Sequence, residues 1–248
     1  MSTAPRGGAR VALVEDHVLF AESLAIALSV EGHDVRRIAL PESSRTVSTL
    51  LPAILRVRPR IVLLDLDLGH HGNGSGLIEP LCRAGIAVVV VTGNPDRVEW
   101  GECMRYGARK VMAKSTHLNE ILATVRRINN GLAVITADER AELLQLWHTQ
   151  RAISHELRHR LGQLTHREQE VLGHLMHGHQ VRDIAAIGVV SEATVRTQVK
   201  SILAKLEVGS QLAAVGLAHR AGWRPPQREL PTRMTELGYA HPAARDLP

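Results

Sequence analysis

The sequence predicts two fold classes in one chain: a doubly wound α/β domain on a five-stranded parallel sheet, then an all-α domain. Short apolar runs alternate with helix-period segments five times before Gly131, the pattern of βα units with right-handed crossovers. After Gly131 the strand pattern stops, and residues 132–248 read as helix, turn and tail. A length of 248 residues accommodates two cores with a linker.

Strands are expected near 10–15, 34–38, 60–65, 86–91 and 109–112, and helices near 18–30, 44–57, 76–84, 95–106 and 117–130. In the first helix Leu19, Phe20, Ser23, Leu24, Ala27 and Leu28 define the face expected on the sheet, and Gly32 follows as a left-handed cap. Residues 137–160 are charged and amphipathic, with Leu143, Leu146, Trp147, Ile153 and Leu157 drifting from a strict heptad, which predicts a linker helix rather than a long coiled coil. Proline and charge dominate from Pro225 to Pro248 and predict a mobile tail. The expected organisation is a first domain at 8–131, a helical linker at 132–160, a second domain at 161–224 and a tail at 225–248.

A net charge of +5 and a pI of 9.8 favour a polyanionic partner, although so mild an excess also fits ordinary surface solvation. Cys82 and Cys103 match no metal or disulfide spacing, and predict packed, inert thiols in a reducing cytosol. Ile86–Val91 is six residues long, far short of the ~20 that span a bilayer, so no membrane association is expected. The opening MSTAPRGGAR lacks the apolar core of a secretory signal, which predicts a cytoplasmic protein.

Polar residues close successive apolar runs in a telling order. Glu15-Asp16 follow Val11–Val14, Asp65 follows Ile61–Leu64, Thr92 follows Ala87–Val91, and Lys114 follows Val111–Ala113. The carboxyl ends of parallel strands gather along one sheet edge, where ligand crevices form. Glu15, Asp16 and Asp65 then offer oxygens to Mg²⁺, a hard cation, with Glu15 acting mainly through a bridging water. Asp65 can attack a phosphoryl group as a carboxylate nucleophile while the Thr92 hydroxyl and Lys114 amine neutralise its oxygens. Each residue alone reads equally as a cap or a solvated charge; their order distinguishes them.

Other signals carry less. Gly69–Gly76 is glycine-rich but lacks the Gly-Lys-Ser/Thr ending of a P-loop, so it is expected to be a flexible loop beside Asp65. His174, His177 and His179 lack a fourth ligand or second motif and are assigned to helix surface and turn, with no zinc.

In the second half, Thr165 and Glu168 form a capping box at the start of LTHREQEVL. A short helix near 180–187 leads through a turn to Ser191, whose hydroxyl can cap a third helix, which is helix-turn-helix grammar. Val195, Val199, Ile202, Leu203 and Leu206 share one face of that third helix. The opposite face carries Ala193, Thr197, Lys200, Ser201 and Ala204, with Arg196 on its flank. Small and basic residues presented together suit a DNA groove, and the expected DNA-binding set is Ser191, Thr194, Arg196, Thr197, Lys200, Ser201 and Lys205.

Residues 164–222, through LTHREQEVL, SEATVRTQVKSILAKL and AAVGLAHRAG, resemble a LuxR-type DNA-binding domain, and residues 10–131 resemble a response-regulator receiver, so the chain is similar to the NarL/FixJ family. The resemblance implies a flavodoxin-like receiver, phosphorylation of Asp65 by a histidine kinase, the backbone carbonyl of Asp67 as a further Mg²⁺ ligand, and a homodimer on double-stranded DNA. IVLLDLDLG also resembles the nucleophile motif of haloacid-dehalogenase-type phosphatases, but there the metal-binding acidic pair follows the lysine, whereas here Glu15-Asp16 precedes the nucleophile. An assay on phosphomonoesters should therefore show no Mg²⁺-dependent turnover that Asp65→Asn removes. A constitutive DNA-binding protein whose receiver only dimerises or senses a ligand is the alternative.

Several positions depart from the family. Val111 stands where an aromatic switch residue is common, Ser115 replaces a proline after Lys114, and Gln198 and Gln211 replace a histidine and an arginine. Gly188 replaces a leucine and is expected to loosen the helix-turn-helix. Ala213, Ala214 and Leu217 either support a dimer or pack within their own domain.

Overall fold

The structure, a computed structural model, describes residues 7–40 and 46–225; the expected tail beyond Pro225 lies outside the described residues. The described residues form two compact units, divided between Ala152 and Ile153. In the first, β1 (Arg10–Val14), α1 (Val18–Val30), β2 (Asp34–Arg37), α2 (Leu51–Arg56), β3 (Ile61–Leu64), α3 (Ile78–Arg83), β4 (Ala87–Thr92), α4 (Arg97–Arg105), β5 (Lys110–Ala113) and α5 (Leu118–Asn129) follow in order. All five strands are parallel, in the order β2-β1-β3-β4-β5.

Strand residues alternate between two cores, so both sheet faces are covered. Val14, Val62, Leu64, Val88 and Val90 pack with Ile54, Leu81 and Met104 on one face. Val11, Leu13, Leu63, Val89 and Met112 pack with Leu24, Leu28, Ile121 and Val125 on the other.

Two expectations need correction. The helices expected at 44–57 and 76–84 are shorter: 3-10 turns at Val47–Leu50 and Gly74–Leu77 lead into α2 and α3. Gly74 and Gly76 lower helix propensity ahead of α3, whereas Pro52 suits the first turn of α2. In α1 the buried stripe is Ala21, Leu24 and Leu28, while Leu19 is 80% exposed. The helix is apolar nearly all round, so its sequence alone does not single out the inward face.

The helix α6 (Ala137–Gly162) contributes Leu143 and Trp147 to the first unit and Leu161 to the second, leaving Leu146 and Ile153 exposed. In the first unit it lies so close to α4 that a Cβ on Gly101 would sit 2.2 Å from the Leu143 carbonyl oxygen. Arg140 donates to the carbonyls of Met104 and Ala108, satisfying acceptors at and just beyond the end of α4. In the second unit α7 (His166–Met176), α8 (Val181–Gly188), α9 (Glu192–Leu206) and α10 (Gln211–Arg220) enclose Leu164, Val171, Ile184, Val195, Ile202 and Leu206. Among the described residues no single helix is long and apolar enough to cross a membrane. Cys103 is buried, which pushes its thiol up to about 12, and the half-buried Cys82 donates to the Gly107 carbonyl, so neither thiol is primed for chemistry.

Candidate functional site

Parallel register brings the strand ends together. Val14 pairs with Leu64, Leu64 with Val90, and Thr92 with Ala113, so Glu15, Asp65, Thr92 and Lys114 meet at one edge. Strand order reverses on either side of β1, and the crevice opens at the carboxyl ends of β1 and β3. Asp65 and Thr92 are buried there. Lys114 donates to Asp65 Oδ2 at 2.7 Å and to Glu15 Oε1 at 2.6 Å, and its Nζ lies 5.4 Å from the centroid of the Phe20 ring. Asp65 Oδ1 accepts the backbone N–H of Asp67 at 3.2 Å.

Lys114 offsets only part of the negative charge in this cluster. Burial raises the pKa of Glu15, and the neighbouring Asp65 charge adds to that, while Lys114 opposes it. Burial works against the Lys114 ammonium, but its bonds to Asp65 and Glu15 outweigh that, so its pKa is raised and it stays a cation at neutral pH. Ligand atoms of Glu15, Asp16, His17 and Asp65 all lie within 4.8 Å of one another. Crowded carboxylate oxygens fit a hard divalent cation, whose charge would offset the burial, and the lesser Asp65 repulsion, that raise Glu15.

Sequence reasoning missed several residues here. His17 lies in the acidic cluster, with Nδ1 2.8 Å from Asp16 Oδ1 and 3.2 Å from Lys114 Nζ. Asp65, Thr92, Lys114, Asn73, Asn94 and Glu99 line a cavity of 570 Å³. Glu99, on α4, accepts from the side-chain amides of Asn73 at 2.9 Å and Asn94 at 2.7 Å, tying the loops after β3 and β4 together. The Thr92 hydroxyl oxygen accepts the Asn94 N–H at 3.1 Å. The glycine-rich stretch is built rather than loose: Asp67 bridges to Asn73, and a Cβ on Gly74 would lie 2.3 Å from the Asp65 carbonyl oxygen. Glycine at 74 lets this loop rest on the strand end.

In the second unit the Thr165–Glu168 capping box is present, and a Gln180–Asp183 box that the sequence reading passed over starts α8. Ser191 caps α9, accepting the Thr194 N–H at 3.1 Å. Thr194, Arg196, Thr197 and Lys200 are exposed; Arg196 is paired with Glu192 at 2.9 Å, and Lys200 has no ion-pair partner among the described residues.

Ser201 and Lys205 correct the expected outward set. Ser201 donates to Glu168 Oε1 at 2.6 Å, and Lys205 to Glu168 Oε2 at 2.7 Å. One turn apart, they form a row between the exposed face and the apolar stripe, where the buried carboxylate draws them in. Burial opposes the charge on Glu168, but bonds from Lys205, Ser201 and Thr165 hold its pKa down at about 2.

Gly188 also differs from expectation. A Cβ there would lie 2.2 Å from Arg167 Nη2, so the arginine side chain fills the space that a larger residue would occupy. In α10, Ala214 and Leu217 are buried in their own core, and Ala213 is exposed beside Leu212, which is 82% exposed.

Family models match residues in both units. The family described as "Response regulator receiver domain" matches residues 11–126, and "Bacterial regulatory proteins, luxR family" matches residues 162–218. The chain is 26% identical over 210 residues to a nitrate/nitrite response regulator protein homolog of Haemophilus influenzae, covering 84% of this chain and 95% of the relative. It is 24% identical over 206 residues to an uncharacterized transcriptional regulatory protein, YhcZ, of Bacillus subtilis, covering 83% and 92%. Full-length FixJ from B. japonicum aligns over 88% of this chain and 98% of its own, at 19% identity and a TM-score of 0.42.

Proposed function

The chain is a two-component response regulator with a receiver domain and a LuxR-type DNA-binding domain, and from that premise we propose that Asp65 is its phosphoacceptor. The observation that carries this is the buried Asp65 carboxylate held by Lys114 at 2.7 Å, beside Thr92 and the acidic cluster. The donor is the phosphohistidine of a partner kinase. An Asp65 oxygen forms the new bond to phosphorus as the phosphorus–nitrogen bond breaks, and the departing imidazole takes up a proton. Lys114 and the Thr92 hydroxyl stabilise the phosphoryl oxygens, and Thr92 gives up its bond from Asn94 or shares it. Glu15, Asp16, Asp65 and the backbone carbonyl of Asp67 would hold Mg²⁺. When bound, the ion neutralises phosphoryl charge.

The receiver extends over 8–131, the linker over 132–160 and the DNA-binding domain over 161–224. Arg196, Thr197 and Lys200 meet the DNA groove, Ser191 and Thr194 meet phosphates at the start of α9, and Ser201 and Lys205 act through Glu168 by holding α9 in place. Phosphorylation shifts a population toward a homodimer on paired half-sites of double-stranded DNA, in the cytoplasm.

The test treats full-length protein with Mg²⁺ and a small-molecule phosphoryl donor, then measures intact mass and DNA affinity on the same sample. One phosphoryl group should add to the protein and none to Asp65→Asn. Uptake in that variant would place the acceptor elsewhere. Uptake with unchanged DNA affinity and oligomeric state would instead favour constitutive DNA binding.

A further inference from the structure

His174, His177 and His179 cluster where α7 ends and turns toward α8. The Nδ1 atoms of His174 and His179 face each other at 3.2 Å, with the rings tilted by 50°. Two imidazole nitrogens bound to one divalent ion at about 2.1 Å, subtending about 100°, also stand about 3.2 Å apart. The pair is therefore spaced for one ion before any rearrangement.

His177 is anchored beside the pair. Its Nδ1 lies 2.7 Å from the Gly173 carbonyl oxygen, which can only accept, so Nδ1 carries the proton and Nε2 the lone pair. The ring also stacks at 27° against His179, with centroids 6.4 Å apart. His174 is half-buried. His174 and His177 border a cavity of 370 Å³ whose other walls include Val171, Ile184 and Ile187.

We propose that His174 and His179 bind a divalent transition-metal ion of the zinc or nickel class, with water completing its shell. Imidazole donors select such ions over Mg²⁺, which prefers the carboxylates of the receiver. The bound ion ties the end of α7 to the turn before α8 and stabilises the DNA-binding domain by mass action.

The test uses full-length Asp16→Asn/Asp65→Asn protein in excess Mg²⁺, so that the receiver cluster does not compete. Zn²⁺ is titrated against a chromophoric chelator, and Co²⁺ uptake is followed by its visible spectrum. One equivalent of Zn²⁺ should bind and raise the melting temperature. His174→Ala/His179→Ala should weaken binding by more than about tenfold, whereas His155→Ala/His159→Ala on the exposed part of α6 should leave it unchanged. His174→Gln/His179→Gln preserves side-chain bulk and should lose the ion while retaining the native circular dichroism. Absence of Zn²⁺ uptake by the histidine-intact protein, or equal affinity in either His174/His179 double variant, would overturn the proposal.

Discussion

At the residue scale, charge placement explains more than charge number. Glu168 is a buried carboxylate held by Lys205, Ser201 and Thr165, with a pKa lowered from 4.5 to about 2. A depressed carboxylate contributes stability that is complete above its unfolded value and is lost as pH falls through the folded one. Glu168 should thus contribute roughly 3 kcal/mol at neutral pH, decaying between pH 4.5 and about 2. Glu168→Gln should lower the urea midpoint at pH 7, with the gap from wild type closing in acid; a gap that stays constant with pH would refute the ionic account. Lys114 belongs to the same class of argument: its place among Asp65, Glu15 and the Phe20 ring keeps a cation where phosphoryl charge would develop.

At the element scale, two helices show how close approach and row position decide roles. Gly101 lets α4 and α6 meet, because any side chain there strikes the Leu143 backbone and the Trp147 Cβ. Gly101→Val should cost about 1–3 kcal/mol, as overpacking does, read from denaturant unfolding of the full chain. In α9 the exposed Arg196 and Lys200 differ in kind from Ser201 and Lys205. Arg196→Ala with Lys200→Ala should weaken DNA binding and flatten its salt dependence, with Asp65 phosphorylation unaffected. Ser201→Ala with Lys205→Ala should chiefly lower thermal stability. Equal loss of salt dependence in both pairs would return Ser201 and Lys205 to the DNA surface. The strand and helix order was legible because apolar period and caps are local properties. The inward face of α1 was not, since a helix apolar all round carries no directional signal.

At the scale of the whole molecule, each unit closes its own core: two cores flank the sheet and a third fills the helical domain. Damage should therefore stay within one unit. Leu206→Ala, which empties a fully buried position, should destabilise the DNA-binding domain by about 2–5 kcal/mol while Asp65 still takes up phosphate, as measured by paired melting and mass spectrometry. Loss of phosphate uptake in that variant would show that the two cores do not fold separately.

The sequence by itself determined the βα alternation, the Thr165–Glu168 box and the chain order of Glu15, Asp16, Asp65, Thr92 and Lys114, because each is written in neighbouring residues or in the order of strand ends. Tertiary structure alone decided that His17, Asn73, Asn94 and Glu99 join that pocket, that Glu168 captures Ser201 and Lys205, and that His174 faces His179. Those meetings depend on parallel register, helix crossing and turn geometry. Such features arise only when distant segments share a core, and no local periodicity encodes them.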